Sequence, residues 1–461
     1  YACNLLVQAY PSRPPPDINR MGYAPPFGAS ARRAADTPWR VLYPRSMTAE
    51  RTRNYADLIL WAVDGVADQN VVVRAEPENR RLAVAFAEAA YRDGARLVEL
   101  KYEDALAVRA RVDEARDEYL DAMPDYSRTE YAEYADPSWT MIRIKGSDYP
   151  DALARSDGAR VGRYARARRD VQMPLMESIS GFRKAWVGVL SPTGALAEKA
   201  FPGVDPAEAL SRYEAAVARV LHLDDEAPSV FWSNLFADLA ERRQEFDALE
   251  LDRLRFTGPG TDLEVGLHPG GRWQTAEETL ADGRTVRVNL PSCEIFTTPD
   301  LRRTNGRVMT TRPFVSTSAP GRTIEGAWLE FENGAVVDSG ASSGADLLEG
   351  VLAMDDQARF LGEVALVDST SPVAAEGITF HDVLYDENAA CHIALGFAFP
   401  RLVPGTEGLE RDELVARGVN HSLVHDDLMI GGEEVDVTGV TAAGREIPVM
   451  RGGVFVSAED R

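Results

Sequence analysis

The hydrophobic pattern of the chain changes once, near Leu254, and that change limits the folds open to it. From Val71 onward short β-branched runs alternate with helical stretches: Val71–Val73 precedes a helix over about 80–90, and Leu97–Leu100 precedes a helix over about 104–116. Trp139–Ile144 and Trp186–Leu190 read as further strands, and two long amphipathic helices follow at about 205–221 and 230–249. Such alternation builds a mostly parallel sheet, because parallel neighbours need a crossover long enough to hold a helix. Past Leu254 the pattern becomes short strands separated by Gly, Pro, Asn and Asp, as at 262–266, 285–289, 326–331 and 435–440. The expectation is an α/β domain with a mostly parallel sheet over 47–250, then a β-rich α+β domain over 251–461 that carries the chemistry.

A chain of 461 residues has room for two cores, since domains usually run to roughly 100–200 residues. Residues 1–46, rich in Pro, Arg and Ala, show neither period and read as a tail or linker that need not be native to the folded protein; Thr48 can cap a helix running through Asn54–Trp61. The 73 acidic and 50 basic residues give a net charge of −23, which argues against a nucleic-acid surface as the main function. No run of about 18 apolar residues occurs, so no membrane helix is expected, and Leu5-Leu6-Val7 is too short for the centre of a secretory signal. Cys3, Cys293 and Cys391 are odd in number and widely spaced, which suits reduced buried thiols and a cytoplasmic setting. Gly258-Pro-Gly260 reads as a turn and not as a phosphate-binding loop.

The chemistry concentrates in the second half. Of six histidines, His381, His392, His421 and His425 fall in one short segment. In His425-Asp426-Asp427 an extended backbone turns His425 and Asp427 to the same face, and imidazole with carboxylate suits zinc, cobalt or manganese; taken alone, an H-x-D is a weak signal and more often structural. Asp386-Glu387-Asn388 precedes His392, either as a capped helix on which Asn388 and His392 share a face, or with a turn that brings Glu387 and His392 together. Glu294 and Glu363 interrupt apolar strands, where a carboxylate is costly unless an arginine or a metal offsets it.

Taken in order, the segments Pro291–Pro299, Leu361–Val367, Asp386–Gly396 and Asn420–Gly431 resemble the metallo-aminopeptidases typified by aminopeptidase T and aminopeptidase S, a resemblance that extends from about residue 50 to the C-terminus. It implies a site for two divalent metal ions (cobalt, zinc or manganese), in which Glu294, Glu363, His392, His425 and Asp427 match the ligands and Glu387 a further acidic position. It implies hydrolysis of the N-terminal bond of peptide substrates by a metal-activated hydroxide, with Glu294 and Glu363 as the catalytic carboxylates, and a homodimer; charge and hydropathy leave nucleic acid and membranes out of the expected partners. One position departs: seven residues after His392 the family carries a tyrosine and this chain has Phe399, for which Tyr385 is the nearest substitute in sequence. Two other readings remain. A mononuclear iron ring-cleaving dioxygenase of related fold would need only His392, His425 and Asp427, and a catalytically silent peptide-binding homologue would account for Phe399.

Overall fold

The computed structural model describes residues 47–318 and 323–461; the expected tail over 1–46, with Cys3, lies outside them. The first helix, Ala49–Ala62, begins where a hydroxyl is available: the Arg51 N–H donates to Thr48 Oγ1 at 3.1 Å. Four parallel strands follow, β1 (Asn70–Ala75), β2 (Leu97–Tyr102), β3 (Trp139–Lys145) and β4 (Trp186–Leu190), in the spatial order β2-β1-β3-β4. Val71, Val73, Ile142 and Val189 share one core with Leu58, Phe86, Val217 and Phe236 from helices Ala49–Ala62, Arg80–Asp93, Pro206–Val220 and Pro228–Ala248. The sheet is therefore the α/β layer that strand–helix alternation anticipates.

From Leu251 the architecture is antiparallel. An eight-stranded sheet begins with Leu251–Gly258 and Thr261–Leu267, joined by the expected Gly258-Pro-Gly260 turn, in which Gly260 takes φ 73°. A four-stranded sheet holds β5 (Glu294–Thr297), β6 (Leu361–Val367), β7 (His392–Gly396) and β8 (His425–Met429), side by side in chain order and antiparallel throughout. The two halves interlock. Asn289–Leu290 adds a fifth strand to the first sheet beside β4, and the Thr285 N–H donates to the Asp64 carboxylate at 3.0 Å. The described residues pack as one compact unit. None of their helices is long and apolar enough to cross a membrane.

Segments that differ from the sequence reading include two that bear on the site and on the α/β layer. A 23-residue helix, Gly158–Ser180, was not anticipated; it buries only Val171, Leu175, Ser178 and Ile179, too few apolar positions to set a clear period among its arginines. The segment Asp386–Gly396 is not one capped helix. A short helix (Val383–Asp386) and a 3₁₀ turn (Glu387–Ala389) lead into β7, so His392 opens a strand. β7 lies between β6 and β8 and is buried on both faces, which removes the alternation that distinguishes a strand from a buried helix.

Within β8, Asp426 points away from its two neighbours. Its carboxylate accepts from the hydroxyls of Ser316, Thr317 and Ser318 and from the N–H groups of Thr317 and Ser318. Asp426→Ala leaves those donors without a charged acceptor, and urea unfolding of the metal-free protein is expected to show a loss on the order of 3 kcal/mol.

Candidate metal centre

Strand pairing places the acidic and histidine side chains on one surface. Glu294 lies opposite Val367, Ala365 opposite His392, Glu363 opposite Ala394, Ala394 opposite Asp427, and Gly396 opposite His425. Because side chains alternate along each strand, these pairings put Glu294, Glu363, His392, His425 and Asp427 on the same face of the four-stranded sheet. The positions between them are small, Ala365, Ala394 and Gly396; Ala365 packs with Phe296 and Leu402, and Phe399 lies against that cluster. At Gly396 φ is +94° and a Cβ would lie 2.2 Å from the Val424 carbonyl oxygen, so only glycine fits beside His425. A bulge before Glu363 re-aims that strand at Gly362, where a Cβ would lie 2.2 Å from the Phe397 carbonyl oxygen.

Two groups of three ligand-bearing side chains result. Glu294, Glu363 and His392 form one, Glu363, His425 and Asp427 the other, and within each the ligand atoms lie within 4.8 Å of one another. Glu363 belongs to both. His392 Nε2 is 3.2 Å from Glu294 Oε2, and His425 Nε2 is 3.4 Å from Glu363 Oε2 and 3.8 Å from Asp427 Oδ1. Each imidazole is oriented from behind: His392 Nδ1 lies 3.2 Å from the Ala390 carbonyl oxygen and His425 Nδ1 2.9 Å from that of Phe397. A carbonyl can only accept, so Nδ1 carries the proton in the neutral ring and the Nε2 lone pair faces the carboxylates.

The electrostatics of the cluster are unfavourable without a cation. Burial pushes the Glu363 pKa up, and the charges of Glu294 and Asp427 push it further, against the pull of His425. Burial opposes a charged His392, yet the contact with Glu294 and the fields of Asp427 and Glu363 outweigh it and hold the ring well above the usual histidine range. Burial likewise opposes a charged His425, but Asp427, Glu363 and the Phe397 carbonyl drive its pKa up to about 10. Glu294 Oε2 is buried and accepts no aligned hydrogen bond despite its proximity to His392. Imidazole nitrogens and carboxylate oxygens aimed at each other across gaps of this kind are the donor set of a divalent transition-metal site, and the residues present fit such a group.

Other residues named from sequence fall outside the two groups. Glu387 is partly exposed at their rim; burial raises its pKa, as do the charges of Asp427 and Glu294, while His392 and Lys145 oppose the rise. His421 packs its ring 5.5 Å from Phe397, and His381 sits in a left-handed turn with its Nδ1 buried and unpartnered. Tyr385, the other sequence candidate, is turned away from the cluster. It is fully buried, its ring 4.7 Å from Phe380, and its electrostatic neighbours are Tyr55, Tyr213 and Asp382. Phe399 is at the site, its ring 5.6 Å from that of His425 and 5.1 Å from Phe296. Asn388 acts as a positioning residue that sequence reasoning had placed only as a helix neighbour of His392. It is fully buried; the Cys293 N–H donates to its Oδ1 at 2.6 Å, and its Nδ2 donates to the Leu384 carbonyl at 2.9 Å, tying the approach to Glu294 to the approach to His392.

Residues 48–455 match the family model described as thermophilic metalloprotease (M29). The chain belongs to that family. Among curated M29 relatives it is 36% identical to Aminopeptidase T of Thermus aquaticus over 388 residues, 84% of this chain and 94% of the relative. It is 32% identical to Aminopeptidase 2 of Geobacillus stearothermophilus over 385 residues, 84% of this chain and 92% of the relative. The solved structure of wild-type AmpT from Thermus thermophilus aligns with a TM-score of 0.81 at 34% identity, over 88% of this chain and 99% of that one. The parallel α/β layer followed by the antiparallel β-rich half is thus an M29 architecture.

Because Glu363 is common to both groups and Glu294 to one, their substitutions separate. After dialysis against trace metal, Glu363→Gln is expected to lower divalent-ion affinity at both groups, by about 100-fold or more, whereas Glu294→Gln should leave binding at His425 and Asp427 unchanged. Binding should also release protons and weaken as pH falls, because protons held on His392 and His425 must leave first; a metal titration in weak buffer measures both.

Proposed function

We propose that this metallo-aminopeptidase holds two divalent cations astride Glu363 and hydrolyses the N-terminal bond of peptides. The observation that carries the reading is the sharing of Glu363 between two ligand groups on one sheet face, each completed by a histidine whose Nε2 faces the carboxylates. Glu294 and His392 would hold one ion with Glu363, and His425 and Asp427 the other. Glu387 completes the charge balance: Glu294, Glu363, Glu387 and Asp427 with two neutral imidazoles match two divalent cations. Zinc, cobalt and manganese all suit this mixture of nitrogen and oxygen donors.

Bound ions of this type polarise a carbonyl and lower the pKa of water. The chain's own groups do the rest. Ala394 and Gly396 put no bulky side chain between the ligand-bearing positions, and Phe296, Phe397 and Phe399 form an aromatic wall beside His425. Glu294 Oε2, buried and free of an aligned donor, is the carboxylate oxygen placed to accept a proton, and Glu363 fixes the spacing between the two halves of the site. Peptide substrates would enter with a cationic amino terminus, which the acidic rim at Glu387 favours.

A second reading, a silent site, draws on Phe399, which presents carbon where the family tyrosine presents a hydroxyl. Two measurements decide between them. Release of amino acids from dipeptides and aminoacyl-p-nitroanilides is expected to stop on chelation and return with zinc, cobalt or manganese; hydrolysis indifferent to chelation would overturn the metal-centred reading. Phe399→Tyr is expected to raise kcat by roughly 10²–10³ with little change in KM, the size of effect that one oxyanion donor supplies.

A further inference from the structure

A row of like charge away from the metal centre lies at the carboxyl ends of the parallel strands. Strand register pairs Arg74 of β1 with Lys101 of β2 on one side and with Arg143 of β3 on the other, so three cations stand in a row across three neighbouring strands. Like charges directly opposite one another repel, and such a row is stable only where acids or a bound anion offset it. Lys101 is offset by Glu130 at 2.7 Å and Glu99 at 3.5 Å. Glu103 is engaged by Arg168 from the helix Gly158–Ser180 and stands 4.0 Å from Arg74. Arg143 differs: it is exposed, and among the described residues no hydrogen bond or ion pair reaches its guanidinium. Desolvation by the surrounding protein and the charges of Arg74 and Arg168 act against its charge, the fields of Glu103 and Glu76 favour it, and a guanidinium stays ionised in proteins.

The position of Arg143 suggests what it is for. In the order β2-β1-β3-β4 the connections change direction between β1 and β3, and the crevice outside the strand ends at such a reversal is where open parallel sheets receive ligands. A cleft of about 620 Å³ opens there, lined by Arg74, Arg143, Lys145 and Arg168 among others. The loop after β1 is Glu76-Pro77-Glu78-Asn79, with no glycine run to cradle a phosphate and with two acids that disfavour a doubly charged one. Glu76 has one buried oxygen without a partner and a pKa raised by burial to about 7. A single carboxylate is the anion that best fits such a mixture. One wall of the cleft leads toward the metal centre: Lys145, two residues beyond Arg143 on the same face of β3, lies 3.8 Å from Asp382 Oδ2, and its charge acts on Glu387.

We propose that Arg143, flanked by Arg74 and Lys145, binds the terminal carboxylate of a short peptide whose amino end lies at the metal centre. This rests on the aminopeptidase reading for the identity of the ligand, and on the cleft alone for its charge. The cleft would make the enzyme prefer peptides short enough to reach both ends, and prefer free acids over amides.

The test compares Leu-Leu with its C-terminal amide, by the ratio of kcat/KM for acid over amide, in wild type, Arg143→Gln and Arg143→Lys. The wild type is expected to favour the acid, Arg143→Gln to lose about 10- to 100-fold of that preference mainly through KM, and Arg143→Lys to keep part of it. A ratio that is the same in wild type and Arg143→Gln overturns the proposal. Calorimetric binding of inorganic phosphate distinguishes the source of the anion: phosphate binding that depends on Arg143, with an unmoved acid-to-amide ratio, assigns the cleft to a free anion and overturns the peptide assignment. If neither substrate is cleaved, the aminopeptidase reading fails by itself, and calorimetry with uncleaved Leu-Leu still decides whether its carboxylate needs Arg143. Thermal unfolding of each variant controls for loss of fold.

Discussion

Glu363 is a carboxylate in the middle of a buried apolar strand, and most of the second half of the chain is arranged around what that costs. An ionised carboxylate moved out of water and left alone is unfavourable by several kcal/mol, and here Glu294 and Asp427 stand near it on the same surface. Three acids in such a place are compatible with a folded protein only if positive charge accompanies them. His392 and His425 supply some of it, which is why both rings are pushed toward the protonated form. Divalent cations supply it more fully, and they can replace the protons because each ring already directs Nε2 at the carboxylates.

The support for that geometry comes from groups that bear no ligand atoms. The carbonyls of Ala390 and Phe397 set the two imidazole tautomers, Asn388 ties the segment before Glu294 to the segment before His392, and Asp426 pins β8 from the opposite face. Small residues in the row between ligands matter as much as the ligands: a larger side chain at Ala394 would stand between Glu363 and Asp427. The α/β layer is joined to this assembly by Asn289–Leu290, four residues before Glu294, and by side-chain contacts such as Lys145 with Asp382 and the Tyr213 hydroxyl with the Phe380 carbonyl.

Much of this was legible in the sequence, and the failures have physical causes. His425 and Asp427 share a face because the strand period is two, which sequence spacing reports directly. Glu294 and Glu363 announced themselves as acids within apolar runs. His392 was harder, since β7 is buried on both sides and its apolar run carries no period to separate strand from helix. The Gly158–Ser180 helix buries four residues out of 23 and was invisible for lack of a stripe. Contacts between strands were beyond reach in principle: nothing local to Arg74, Lys101 or Arg143 states that they stand in one row, and nothing local to Tyr385 states that it turns toward Tyr55 and Tyr213 instead of the metal ligands.

The claim on which the account stands is that one carboxylate serves two cations. Anomalous diffraction from crystals grown with cobalt reads this directly, by both the number of ions and their neighbours. Two peaks are expected, both against Glu363, one shared with Glu294 and His392 and the other with His425 and Asp427. A single peak, or peaks remote from Glu363, would contradict it.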